Sequence, residues 1–165
     1  MDLPPCSPLA TFANLWIGCA FASWGVAQLC KLLSSLLQTR ELDLAYFLST
    51  GGMPSAHSAT VAGLATAIGM TEGFDSPAFA IAFAVAGITM FDASTVRLAA
   101  GKQAALVNQI VRELFQNHRL DEKPLKELLG HTRFEVFMGM LLGIATSVNL
   151  VLHWLARQTP QPPLP

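Results

Sequence analysis

Residues 9–30, LATFANLWIGCAFASWGVAQLC, form an unbroken run of 22 residues without a charged side chain. At about 1.5 Å of rise per residue, a helix of this length crosses the roughly 30 Å hydrocarbon core of a bilayer. We therefore predict a first membrane helix that begins at Leu9 and ends at Lys31. The whole chain is 52% hydrophobic and 13% charged, which is too apolar for an ordinary soluble protein. The sequence predicts an integral membrane protein.

Three further apolar stretches indicate an all-α fold. Pro54 follows a glycine loop and is expected to open a second helix, which runs to about Met70. Ser76 and Pro77 are typical of the cap and first residue of a third helix, whose far end carries Asp92 and Arg97. A last long helix is expected over about 133–155. The sequence thus predicts a polytopic bundle of about four membrane helices.

Residues 101–130 have a different character. Apolar side chains fall on one helical face, and polar side chains fall on the other. This pattern predicts an amphipathic helix on the membrane surface. We divide the chain into an N-terminal tail (1–8), a single membrane domain (9–156) with an insertion at about 101–130, and a disordered, proline-rich tail (157–165).

Charge composition and cysteine content exclude several classes of partner. The formal net charge is −1, so no nucleic-acid partner is expected. The three cysteines lack the Cys-x-x-Cys spacing of a zinc site, and we predict neither a metal nor a cofactor. With four spans, nine of the ten Lys and Arg residues lie on one side, which the positive-inside rule assigns to the cytoplasm. Both termini are then outside, and nothing in the sequence argues against a homo-oligomer.

Six ionisable residues lie in or beside the apolar helices, where a charged group costs at least about 2.5 kcal/mol unless it is satisfied. All six fall at the predicted cytoplasmic helix ends: Lys31, His57, Asp92, Arg97, His131 and Glu135. Two bases, two histidines and carboxylates that can orient them suit an oxyanion, and phosphate fits best.

Two local patterns sharpen this prediction. The segment 51–58, GGMPSAHS, leads a glycine loop into a helix start, where backbone N–H groups favour an anion and Ser55 adds a hydroxyl. His57 is in the first turn of that helix. In the segment 130–135, GHTRFE, His131 and Glu135 are four residues apart, so the carboxylate can hold one ring nitrogen and leave the other able to attack.

These motifs resemble the divergent branch of the type 2 phosphatidic acid phosphatase superfamily, also called acid phosphatase/vanadium-dependent haloperoxidase-related. The superfamily pattern is a lysine with a following arginine, then Pro-Ser-Gly-His, then an arginine, a histidine and an aspartate four residues later. The matching positions here are Lys31 with Arg40, the segment 54–57 (PSAH), and Arg97 with His131 and Glu135. Including the connecting helices, the likeness covers most of residues 9–155.

The sequence departs from that pattern at several positions. Ala56 replaces the usual glycine, Glu135 replaces aspartate, and a long insertion separates Arg97 from His131. Arg40 lacks the expected neighbouring proline, so a solvated loop charge is an alternative to phosphate binding. Asp92 could position Arg97 or could be a packing partner between helices. Lys102 and Asn108 could close over the site or belong to a solvated face.

The resemblance implies metal-independent hydrolysis of a phosphomonoester or diphosphate through a phosphohistidine. In that scheme His131 attacks phosphorus, Glu135 stabilises the imidazolium, and His57 is the general acid. The phosphate oxygens are bound by Lys31, Ser55, the backbone of Ala56 and Arg97. A membrane lipid phosphate or prenyl diphosphate is the expected substrate. The rival hypotheses are a non-catalytic protein that binds an anion or lipid headgroup on a degenerate phosphatase scaffold and, among enzymes, a haloperoxidase.

Overall fold

The computed structural model describes residues 14–39, 52–114 and 130–158, and every regular element in these ranges is an α-helix. The elements are α1 (Leu15–Thr39), α2 (Ala56–Glu72), α3 (Pro77–Ser94), α4 (Val96–Leu114) and α5 (Arg133–Gln158). The predicted all-α architecture is confirmed. The N-terminal tail, Arg40, and residues 115–129 and 159–165 lie outside the described residues. Arg157 and Gln158, which the sequence assigned to the disordered tail, are the last residues of α5.

Both predicted ends of α1 are wrong. The helix begins at Leu15, because the Asn14 side chain accepts hydrogen bonds from the backbone N–H groups of Trp16 and Ile17 and so caps it. It continues to Thr39 because leucines and serines follow Lys31, with neither a glycine nor a proline to end the helix. Lys31 therefore lies within α1, about two turns before its end.

The predicted start of α3 is confirmed, whereas α2 begins at Ala56, two residues after the predicted Pro54. Ser55 is the N-cap of α2, and its hydroxyl oxygen accepts the N–H of Ser58. Ser76 caps α3 in the same way, with Pro77 at the first helical position. Gly73 turns the chain between the two helices with a φ of 97°, a left-handed value that glycine adopts without strain.

Helix α2 is the centre of the bundle and packs against α1, α3 and α5. Its small residues allow close approach: a Cβ atom on Gly143 of α5 would overlap the Ala59 carbonyl, and one on Gly139 would overlap that of Ser55. Gly63 of α2 faces the hydroxyls of Ser23 and Ser147 in the same way. Such small-residue contacts are typical of packing between membrane helices, where backbones gain van der Waals contact without large side chains.

Three stretches are long and apolar enough to cross a membrane: Leu15–Leu37, Pro77–Val111 and Arg133–Gln158. The 17-residue α2 lies among them and runs antiparallel to α1, since the Trp16 indole N–H donates to the Thr71 hydroxyl at 2.8 Å. The start of α1 and the end of α5 share a cavity lined by Asn14, His153 and Arg157, among others. These two helix ends therefore lie at the same end of the bundle, opposite to the start of α2.

The third helix ends earlier than predicted. Thr95 interrupts it, and its backbone N–H bonds to the Phe91 and Asp92 carbonyls before α4 begins at Val96. Arg97 consequently belongs to α4, not to the helix that carries Asp92. The amphipathic helix also begins earlier than the predicted Gly101. Its apolar residues Leu106, Val107 and Ile110 are exposed, as a surface helix requires.

Candidate active site

The predicted site residues that the structure describes converge at one end of the bundle, where three chain segments are joined by backbone contacts. The Ser55 N–H donates to the Glu135 carbonyl at 3.1 Å and joins the start of α2 to the start of α5. The His131 N–H donates to the Ala93 carbonyl at 3.1 Å and joins that region to the end of α3. Gly130 lies directly against the backbone of Leu98, which leaves no room for a side chain. These contacts hold the site residues in place through the main chain.

His131 and Glu135 form the pair that their spacing predicts. The Nδ1 atom of His131 lies 3.0 Å from a Glu135 carboxylate oxygen. The histidine is only 3% exposed, and its Nε2 atom is buried without a hydrogen-bond partner among the described residues. A buried polar atom normally has a hydrogen-bond partner, so this exception indicates that Nε2 contacts a bound ligand or takes part in a reaction. Because Nδ1 is held by the carboxylate, Nε2 is the nitrogen that remains for attack.

Glu135 has a second role that the sequence reasoning missed. The carboxylate oxygen that meets His131 also accepts the Thr132 N–H at 3.2 Å, and the Thr132 hydroxyl accepts the Glu135 N–H at 3.3 Å. This reciprocal arrangement is a capping box, which stabilises the first turn of α5. The signal was visible in the sequence as a threonine three residues before a glutamate. The cap fixes the carboxylate beside His131.

His57 lies next to His131 and is exposed, in contrast to its buried neighbour. The two ring centroids are 6.4 Å apart, and the rings are inclined by 59°. Lys31, Arg97 and His131 all act electrostatically on His57. This placement allows His57 to meet a group bound between the two rings and to exchange protons with water.

Lys31 is buried, with 4% of its surface exposed, and it interacts electrostatically with Glu135 and His57. The long side chain therefore does not extend to the surface, as it would if the lysine merely closed a membrane helix. Its position within α1 brings an ammonium group close to the first turns of α2 and α5. A buried cation beside a carboxylate and two imidazoles can bind an anion.

Ser55 and Ala56 are both buried at the start of α2, and Ser55 is completely inaccessible. The Ser55 oxygen accepts the Ser58 N–H, and it also accepts the Ser58 hydroxyl at 3.0 Å. Ala56 is the first residue of α2, so its N–H belongs to the unpaired first turn. Ser58 was not singled out from the sequence, and only its place one turn after Ser55 could have suggested it.

Arg97 is paired with Asp92 across the break between α3 and α4. The guanidinium Nε lies 2.8 Å from a carboxylate oxygen, with the two side chains 54% and 39% exposed. Of the two alternatives for Asp92, the contact favours the one in which it positions Arg97. Lys102 is exposed and Asn108 is buried, whereas Arg40 lies outside the described residues. Within the described ranges, no group of three or more His, Cys, Asp or Glu side chains could hold a metal ion.

A protein-family model described as the divergent PAP2 family matches residues 12–146. The chain belongs to this family. A relative from Bacillus subtilis (strain 168), named "Uncharacterized membrane protein YuiD", is 41% identical over 140 residues, which cover 78% of this chain and 89% of that protein. No solved structure matches the chain. Membership of the divergent PAP2 family confirms the resemblance seen in the sequence, and the matched region spans every predicted site residue.

Proposed function

We propose that this membrane protein is a metal-independent phosphatase that hydrolyses a lipid phosphate or prenyl diphosphate through a phosphohistidine. The observation that carries the proposal is the state of His131. Its ring is buried, Nδ1 is held by a carboxylate, and Nε2 has no hydrogen-bond partner in the part of the chain that the structure describes. An imidazole that is oriented by a carboxylate and keeps its other nitrogen free is suited to nucleophilic attack.

In the first step, the Nε2 lone pair of His131 attacks phosphorus and the bond to the leaving oxygen breaks. His57 donates a proton to that oxygen, which leaves as an alcohol or a phosphate. The positive charge that develops on His131 is stabilised by Glu135 across the 3.0 Å contact.

In the second step, His57 removes a proton from water, and the resulting hydroxide attacks the phosphohistidine. The N–P bond breaks, inorganic phosphate forms, and His131 recovers its lone pair. The exposure of His57 supports this role, since the group must reach both the leaving oxygen and solvent water. The same residue is thus the acid in one step and the base in the next.

The phosphoryl oxygens are bound by Lys31, Arg97, the Ser55 hydroxyl and the Ala56 N–H in this proposal. Three of these groups are already close to the histidines: Lys31 and Arg97 act electrostatically on His57, and the Ser55 N–H donates to the Glu135 carbonyl. Preorganised donors of this kind stabilise the charge of the transition state. Arg97 would bind a phosphoryl oxygen while Asp92 holds its Nε.

The substrate class follows from the place of the site in the bundle. Glu135 lies in the first turn of α5, one of the helices that are apolar enough to cross a membrane, and His131 and His57 lie beside it at the same end of the bundle. The phosphate of a lipid or prenyl phosphate would lie at this end of the bundle, and its hydrocarbon chain would lie against the apolar helix surfaces. On the positive-inside argument, we place the site on the cytoplasmic side.

Phosphate release from a panel of lipid phosphates and prenyl diphosphates, with purified protein in detergent, tests the proposal. His131→Ala should lower turnover at least about 10³-fold, as removal of a nucleophile does in other enzymes. His153→Ala is the matched control, because His153 is exposed at the opposite end of the bundle and should be dispensable. Binding of lipid phosphates without turnover by the unaltered protein would refute hydrolysis and favour a headgroup-binding protein.

A further inference from the structure

Ser58 is a fully buried serine one turn after Ser55, and its side chain does not belong to the catalytic scheme above. Its hydroxyl donates to the Ser55 oxygen at 3.0 Å, and its backbone N–H approaches the same oxygen at 3.4 Å. An N-cap serine needs only the backbone contact to stabilise a helix start. The second hydrogen bond therefore serves something other than the cap.

Every other hydrogen-bonding group of Ser55 is in use. Its N–H donates to the Glu135 carbonyl, and its own carbonyl accepts the Ala59 N–H. A hydroxyl oxygen has two acceptor sites and one proton. Because Ser58 occupies both acceptor sites, the hydroxyl proton is the remaining group, and within the described residues no acceptor receives it.

We infer that Ser58 is a positioning residue that fixes the Ser55 hydroxyl as a donor to a phosphoryl oxygen of the substrate. This inference rests on the proposed function, which requires an oxyanion beside Ser55. With the Ser58 hydroxyl absent, the Ser55 hydroxyl could rotate and donate to a neighbouring group instead. With it present, the proton can only point away from Ser58.

The test compares Ser58→Thr with Ser58→Val in the full-length protein, with orthovanadate as the probe. Threonine and valine have the same shape, so both variants overpack the site equally and differ only in the hydroxyl. Ser58→Val should bind vanadate about three- to tenfold more weakly than Ser58→Thr, the loss expected for one hydrogen bond. In a Ser55→Ala background, the two variants should bind vanadate equally, because the residue through which Ser58 acts is gone.

Ser147 provides a matched control. It is also fully buried and lies within 3.4 Å of another serine hydroxyl, that of Ser23. Ser147→Thr and Ser147→Val should bind vanadate with the same affinity, whatever they do to stability. Equal vanadate affinities for the two Ser58 variants would overturn the inference. So would a Thr-to-Val difference that persists unchanged in the Ser55→Ala background.

Vanadate affinity is measured without turnover, which separates this inference from the proposed function. If the Thr-to-Val difference appears but no lipid phosphate is hydrolysed, the phosphatase proposal alone is refuted. If hydrolysis occurs and the two Ser58 variants behave alike, the role of Ser58 alone is refuted. If the unaltered protein does not bind vanadate at all, Ser55 has no oxyanion to contact and the inference is overturned.

Discussion

Replacement of Glu135 by glutamine is the substitution that most directly tests the catalytic pair. The carboxylate accepts from His131 and from the Thr132 N–H, so it both orients the nucleophile and caps α5. An amide oxygen can still accept the Thr132 N–H. Glutamine is also a capping-box residue, so the start of α5 should persist in Glu135→Gln, and the main cost in stability should come from the lost charge beside buried Lys31. The substitution removes the negative charge and retains the shape.

The expected loss of activity follows from that charge. A hydrogen bond to a charged group contributes about 1.5–3 kcal/mol, roughly twice the value for neutral partners. Glu135 forms such a bond at 3.0 Å, and its side chain is only 23% exposed, so solvent screens it weakly. If this energy stabilises the imidazolium in the transition state, kcat should fall about 10- to 150-fold. KM should change little, because the carboxylate does not touch the substrate.

Two measurements are needed: steady-state hydrolysis of a lipid phosphate, and acid-quenched phosphoenzyme formation in a single turnover. Glu135→Gln should slow formation of the phosphoenzyme, and thermal unfolding should show that the fold persists. Glu135→Ala is the informative comparison, since it also removes the acceptor of the Thr132 N–H in the capping box and should cost about 1 kcal/mol more in stability than glutamine. A glutamine variant that forms phosphoenzyme at the normal rate would refute the role of Glu135 as the group that stabilises His131.

Three further outcomes are expected. Gly143→Ala should destabilise the protein by about 1–3 kcal/mol in a denaturation assay, because its Cβ would overlap the Ala59 carbonyl. Gly87→Ala is the control and should not destabilise the protein, because no atom lies close to its Cβ position. Equal effects of the two substitutions would contradict the packing of α5 against α2. Hydrolysis should survive EDTA and be inhibited by vanadate, and a loss on chelation that zinc or magnesium restores would refute the mechanism. His57→Ala should be inactive on alkyl phosphates, yet it should release one equivalent of product from an activated aryl phosphate and leave acid-labile phosphate on His131. Phosphate found on His57 instead would reverse the two assignments.

The sequence determined those features that depend on neighbours along the chain. The start of α3 follows from Ser76 as its cap and Pro77 as its first residue, whereas the start of α2 was predicted at Pro54, two residues before the first helical residue, Ala56. The four-residue spacing of His131 and Glu135 predicted their contact, but His131 lies two residues before α5, so the capping box of Thr132 and Glu135, and not a shared helical face, holds the carboxylate beside the ring.

The ends of the helices were predicted less well. Lys31 was predicted to end α1, but the leucines that follow it continue the helix to Thr39. Nothing in the sequence around Thr95 indicated the break that places Arg97 on a separate helix.

Only the tertiary structure decided which polar groups are buried and which of them meet. His57 and His131 are far apart in the chain, and Lys31 is farther still from Glu135, so no local periodicity relates them. Their meeting depends on the small residues of α2 and α5, which let the two backbones approach and join Ser55 to Glu135. A sequence pattern shows which face of a helix carries small residues. It does not show which other helix packs against that face, or how deeply the charged side chains are buried, because both depend on the whole bundle.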